Sequence, residues 1–261
     1  MSQEKWADLP QRFTSGVVML IIFAAALYLG LMGILLLGFV GVLAMQWELA
    51  RMFGLSGRRL LAVTSVAVLG WLPMVVQPGI LFAGMTLPAV AGFLPIMIGA
   101  ALVKQQRGIY VGYGALLTLG MVGFWHLALN FGSFGIAILA AVVILSDIGG
   151  YIAGRMIGGA KFWPSISPKK TWSGTIAGWV LVACLGFVLM QYSGAAWMVP
   201  VAVAVAFGAQ MGDIAESWVK RRVGVKDSSQ LIPGHGGFLD RFDGFIGGAA
   251  VLGIITALFL N

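Results

Sequence analysis

The sequence predicts an all-α, polytopic membrane protein of about nine transmembrane helices with a cytoplasmic N-terminus. Three observations carry that reading. First, 60% of the 261 residues are hydrophobic and only 10% are charged, whereas an ordinary soluble domain is about 25% charged. Second, apolar runs recur along the whole chain, each near the roughly 20 residues that a helix needs to cross a hydrocarbon core about 30 Å thick. Third, the 16 Lys and Arg residues fall in alternate gaps between those runs. So little charge cannot cover a soluble globule, which excludes a soluble enzyme, a disordered tail protein and a coiled coil. Barrel strands would alternate apolar and polar residues over short stretches, but 134–145 and 244–260 are apolar nearly throughout.

Taken in order, the expected spans are 16–29, 31–50, 60–75, 80–102, 110–129, 133–154, 173–190, 197–219 and 244–260. The first two need an argument, because 16–46 is almost continuously apolar and would make a single helix about 46 Å long. A tight hairpin at Gly30 divides it. Arg58 and Arg59 precede the third span, Lys104 follows the fourth, and Arg107 precedes the fifth. Arg155 follows the sixth, Lys169 and Lys170 precede the seventh, Lys220–Arg222 follow the eighth, and Arg241 precedes the ninth. With nine spans and the N-terminus inside, all 16 basic residues lie on one side, as the positive-inside bias requires. Merging the first two spans would send Arg51, Arg58 and Arg59 to the other side and invert every later assignment. The charged start resembles a signal peptide, but Glu4 and Asp8 dilute it and no cleavage-like site follows, so it reads as an uncleaved first span. Cys184 has no partner in the chain and is expected to pack between helices. The formal net charge of +7 is explained by topology and by attraction to anionic headgroups.

A carboxylate inside an apolar span costs roughly 2.5–3.5 kcal/mol on insertion scales, so it normally faces a partner, a cavity or a metal. Asp147 lies in the sixth span; Asp213 and Glu216 lie near the inner end of the eighth. Asp213, Glu216, Ser217 and Lys220 are spaced to share one helix face. Glu216 and Lys220 also have the order of a plain i,i+4 pair, and Asp147 could pair with Arg155. Asp213 has no basic residue three or four positions away. Downstream, residues 217–243 combine basic residues, acids and a Pro233–Gly237 turn whose glycines permit close approach to a ligand. Asp240 and Asp243 would project from one face at the start of the last span. Alone they read as first-turn acids favoured by the helix dipole. Beside Asp213 they form an oxygen-rich set of the kind that suits magnesium, which keeps waters and shares phosphate oxygens with its substrate. The reading that explains all the parts is a magnesium-nucleotide site at the membrane surface.

The stretch 217–243 resembles the signature of the phosphatidate cytidylyltransferase (CDP-diacylglycerol synthase) family, through Ser217, Lys220, Arg221, Lys226, Asp227, Pro233, His235, Gly236, Gly237, Asp240, Arg241 and Asp243. Supporting matches are Asp147 with Gly149, Gly150 and Tyr151; Gly154 and Arg155; Ser167–Trp172 and Gly174; and Gly212, Asp213, Glu216 and Ser217. Ser173 stands where many relatives carry Glu or Gln, so it receives no catalytic role. The chain reads as one integral membrane domain, 1–261, with a catalytic half at about 131–261. The half at about 1–130 matches only in hydropathy and in its Asp8–Arg12 start.

The resemblance implies a homodimeric enzyme of the bacterial inner membrane, with its active site at the cytoplasmic face. Its substrates would be CTP and phosphatidate drawn from the membrane lipid, its products CDP-diacylglycerol and pyrophosphate, and its cofactor Mg2+, with a second cation left open; no nucleic acid partner is implied. Asp213, Asp240 and Asp243 would be metal ligands; Lys220, Arg221, Lys226 and Lys170 would bind phosphate. Ser217, Asp227, Gly236, Gly237, Arg241, Lys169 and Asp147 would complete the substrate site. His235 would be a hydrogen-bond donor to phosphate, a proton carrier to pyrophosphate or an ordinary loop residue. The rivals are a CTP-dependent enzyme acting on a polyprenol or phytol, and a transporter or cation channel with Asp147, Asp213 and Glu216 lining an ion path. A CDP-alcohol phosphotransferase would need an Asp-Gly-x-x-Ala-Arg motif, which is absent.

Overall fold

Apolar runs broken by glycines and basic clusters fold into helices because backbone polar groups in lipid must be satisfied within their own segment. The computed structural model describes residues 9–77 and 86–259. Its helices are α1 (Leu9–Tyr28), α2 (Gly30–Met52), α3 (Gly57–Val76), α4 (Thr86–Leu102), α5 (Arg107–Met156), α6 (Trp172–Ser193), α7 (Met198–Val223) and α8 (Leu239–Phe259). Seven of these are long and apolar enough to cross a membrane, and Ala89–Leu102 is a shorter apolar helix. The chain is an all-α, polytopic integral membrane protein. Outward faces carry exposed apolar side chains such as Leu20, Ile21, Leu61, Leu69 and Phe134, the surface that lipid rather than water favours.

At 50 residues, α5 would be about 75 Å long if straight, and it is not straight. Gly132 has φ 58° and ψ −148°, a conformation that an L side chain rarely adopts. On one limb Gly120 meets Ile246 and Gly123 meets Ala249 and Gly253; on the other Leu139 meets Gly248 and Val143 meets Gly244. The two limbs therefore run in opposite directions along α8, and they correspond to the separate expected spans 110–129 and 133–154. At Gly30, φ is 70°, and the chain turns there between α1 and α2 as expected.

Close approaches of small residues hold the catalytic half together, the usual way for helices in lipid to gain packing contact. Gly149, Gly150 and Gly154 face Gly174 and Gly178 of α6, while Gly208 and Gly212 of α7 face α8 at Gly247. A polar tie crosses three helices: Gln210 donates to Ser146 Oγ and accepts from Trp179 Nε1, both at 3.1 Å. In the other half, Trp71 and Trp125 are fully buried with ring centroids 4.8 Å apart.

Three features differ from expectation or fall outside it. Helix α8 begins at Leu239, five residues before the expected 244, because first-turn amides there find acceptors described below. The connection 155–172 contains an antiparallel hairpin, β1 (Lys161–Trp163) and β2 (Ser167–Thr171), too short for its alternation to register in the sequence. Cys184 is exposed on α6, so it does not pack between helices of one chain. Residues 80–85 of the expected fourth span, and Glu4, Lys5 and Asp8, lie outside the described residues.

Candidate active site

Gly212 places α7 against α8 so tightly that a Cβ there would collide with the Asp243 carbonyl oxygen. The next residue, Asp213, is thereby brought within electrostatic reach of the Asp243 carboxyl. Lys170 reaches in from β2 and ion-pairs with Asp213, a cation that no spacing on α7 could supply. Asp147, exposed on the second limb of α5, feels the charges of both Lys170 and Asp213; Arg155 instead donates to Tyr151 Oη at 2.8 Å. Four elements thus converge on one polar site, rimmed by Asp147, Lys170, Asp213 and Asp243.

One helical turn further along α7, Glu216 is fully buried. The Lys220 ammonium lies 2.5 Å from Glu216 Oε2 and 2.5 Å from Asp240 Oδ1, so the expected i,i+4 pair exists within a triad. Neither Glu216 oxygen receives a well-directed hydrogen bond. Asp240 Oδ2 accepts from Ser228 N (2.9 Å), Ser228 Oγ (3.0 Å) and Gly237 N (2.7 Å). Both oxygens of Asp240 are therefore engaged by the protein, and so is the Lys220 ammonium.

The loop between α7 and α8 carries the remaining expected residues. Arg221, Lys226 and Asp227 are exposed, and neither cation makes an ion pair among the described residues. Lys226 and Asp227 line an open hollow of about 590 Å³ with Arg12, His235 and Arg241. Arg241 donates twice to the His235 carbonyl, from Nε at 2.9 Å and Nη2 at 2.7 Å, which ties the turn to α8. The His235 ring Nδ1 is 2.7 Å from Ser15 Oγ on α1. Burial, then the Arg241 charge, lowers the His235 pKa below the ordinary imidazole value, with Arg12 adding to the effect and a hydrogen bond at the Pro233 backbone opposing it. Gly236 sits against Asp240, and Gly237 against Ser228 and Glu48. Ser217 lies partly buried on α7, and Lys169 points outward beside Lys170 on β2.

Residues 10–259 match the profile of the Cytidylyltransferase family. The chain belongs to that family. A phosphatidate cytidylyltransferase from Brucella suis is 36% identical over 265 residues, covering 97% of this chain and 95% of the relative. One from Helicobacter pylori strain J99 is 30% identical over 272 residues, 96% of each chain. One from Staphylococcus saprophyticus is 42% identical over 109 residues, covering 40% of this chain and 42% of the relative.

Family membership raises the question of a divalent metal. Among the described residues no three His, Cys, Asp or Glu side chains are grouped closely enough to cage an ion. Magnesium does not need a cage: one or two carboxylates plus substrate phosphates and waters suffice. Asp213 and Asp243 are the hard-oxygen pair that fits this requirement, whereas Asp240 is occupied by its four donors. Sequence reasoning missed Glu48 of α2, which is fully buried and accepts from both ends of the 224–238 loop. The signal was available, because Glu48 is a lone acid in an otherwise apolar span.

Proposed function

We propose that the chain is a phosphatidate cytidylyltransferase, which transfers the cytidylyl group of CTP to phosphatidate and releases pyrophosphate. The observation that carries this reading is the near-full-length match to relatives of that name. The polar residues gathered at one end of an apolar bundle agree with it, since a soluble nucleotide must meet a lipid phosphate at a membrane surface.

A phosphate monoester has a second pKa near 6 and is largely dianionic at neutral pH. An oxygen of phosphatidate can therefore attack the α-phosphorus of CTP without a dedicated base. The new P–O bond forms as the bond from that phosphorus to the bridging oxygen breaks, and pyrophosphate leaves with the electron pair. What the protein must supply is alignment and neutralisation of charge. Asp213 and Asp243 would hold Mg2+, which when bound would supply positive charge at the nucleotide phosphates. Lys170, Arg221 and Lys226 would hold phosphate oxygens, Lys170 doing so from its position beside Asp213. Lys220 and Asp240 would act by fixing the loop against α7. Asp147 would keep Lys170 turned toward the site.

The site would face the cytoplasm of a bacterial inner membrane, where CTP is made, and the protein would be a homodimer. Purified protein in lipid, given radiolabelled CTP with phosphatidate, dolichol or phytol, tests the reaction. Label is expected in phosphatidate product with release of pyrophosphate; incorporation only into the alcohols would overturn the assignment.

A further inference from the structure

Glu48 is fully buried on α2, and no Lys or Arg pairs with it among the described residues. A carboxylate taken out of water without a cation is costly unless hydrogen bonds replace its hydration. Here three donors do so, and a fourth is shared. Oε1 accepts from Ser229 Oγ at 2.5 Å and Phe238 N at 2.8 Å, and Oε2 accepts from Leu239 N at 2.7 Å; the one Ser228 hydroxyl proton lies between Oε2, at 3.2 Å, and Asp240 Oδ2, at 3.0 Å. Phe238 and Leu239 carry amides at the start of α8, which have no partner within their own helix. A negative charge is favoured there by the helix dipole. Glu48 thus caps α8 from a different helix. It also joins residues 228 and 229 to residues 238 and 239, closing the neck of the loop. A Cβ at Gly237 would displace Ser228 Oγ and lie 2.6 Å from Glu48 Oε1, so a side chain there would disturb this network.

We propose that Glu48 is a positioning residue for the nucleotide site. By capping α8 and closing the loop neck, it sets where Asp243, one turn into that helix, and Lys226, in the loop, stand relative to Asp213. This role rests on the reading that Asp243 and the loop bind the metal and phosphates of CTP. A side chain that only stabilised the fold would change how much protein is active; a positioning residue also changes how well the active protein holds CTP.

Glu48→Gln separates the two roles. The amide keeps the shape, but its NH2 must face either Phe238 N or Leu239 N, whichever way it is flipped. The serine hydroxyls can rotate to accept, but a backbone N–H cannot. CTP affinity would be measured by calorimetry with Mg2+ and without phosphatidate, and kcat and KM separately with both substrates. In Glu48→Gln, Kd and KM for CTP should each rise about tenfold, the scale of one lost charge-assisted hydrogen bond, with a smaller change in kcat. Unchanged Kd and KM, with kcat falling in step with the folded fraction, would overturn the proposal. Should Glu48→Gln fail to fold, Ser229→Ala, which removes one donor to Glu48, should raise Kd about threefold, and an unchanged Kd there overturns it equally. Asp243→Asn is run in parallel. If it weakens CTP binding while the Glu48 variant does not, only the positioning role fails; if Asp243→Asn binds and turns over CTP normally, the reading of the site itself fails.

Discussion

Lys170 and Lys220 share a side chain and differ in what surrounds it. Lys220 is held in a buried triad with Glu216 and Asp240, whereas Lys170 is a quarter exposed and touches only Asp213 among the ion pairs described. Lys170 can turn from Asp213 toward an incoming phosphate, and Lys220 cannot do so without stranding two acids. Lys170→Ala should therefore lower kcat/KM about 100-fold with a nearly unchanged melting temperature. Lys220→Ala should lower both, because removing the cation leaves Glu216 and Asp240 buried without it; melting curves of the two variants in one detergent check the contrast. Asp243→Asn should raise the Mg2+ concentration for half-maximal activity by about tenfold or more, measured by metal titration at saturating CTP. His235 gives the pH dependence. Its folded pKa lies below its unfolded value near 6.5, so its stabilising contribution is complete above about pH 6.5 and is lost as pH falls through the lowered folded value. The melting temperature should fall on acidification below that pH, and His235→Gln should flatten that part of the curve.

Glycines set the distance between helices, and their surroundings decide which can change. Gly212 lies against the Asp243 carbonyl, while Gly112 on α5 has nothing within 4 Å of a new Cβ. Gly212→Ala should wedge α7 from α8, separate Asp213 from Asp243, and lower kcat/KM about tenfold or more along with the melting temperature. Gly112→Ala should be neutral or stabilise by about 0.5–1 kcal/mol through helix propensity. At this scale the sequence was readable where a signal is periodic or long. The turns at Gly30 and Gly132, the limbs of α5, and the Glu216–Lys220 pair follow from run length, charge position and helical spacing. The β1–β2 hairpin does not, because its strands are too short to show alternation; the early start of α8 and the Lys170–Asp213 pair do not, because each depends on partners distant in the chain. Asp240 shows the limit plainly: its spacing from Asp243 puts both acids at the start of one helix, but spacing carries no information that Ser228, Gly237 and Lys220 would surround it. Glu48 was visible as a lone acid, yet its partners lie about 180 residues away.

Across the whole molecule, contacts between distant segments gather the charged ends of the helices at one end of the bundle. Arg12 of α1 lies against Gly234, and Glu48 near the end of α2 holds the same loop. Gln106, between α4 and α5, donates to the Arg222 carbonyl at 3.0 Å, and β2 meets α7 through Lys170 and Asp213. Arg58 follows α2 directly at the start of α3, whereas Ala196 lies in the short connection between α6 and α7, at the end where those helices turn away from the site. Since basic residues favour the cytoplasmic side, the site and Arg58 should face the cytoplasm and Ala196 the opposite side. Cys184 is the chain's one cysteine, so a Cys184→Ser background permits a direct test. In intact spheroplasts a membrane-impermeant maleimide should label Ala196→Cys and spare Arg58→Cys, and inside-out vesicles should give the reverse. Labelling of Arg58→Cys from outside would put the nucleotide site on the face away from cytoplasmic CTP, and the orientation would have to be inverted.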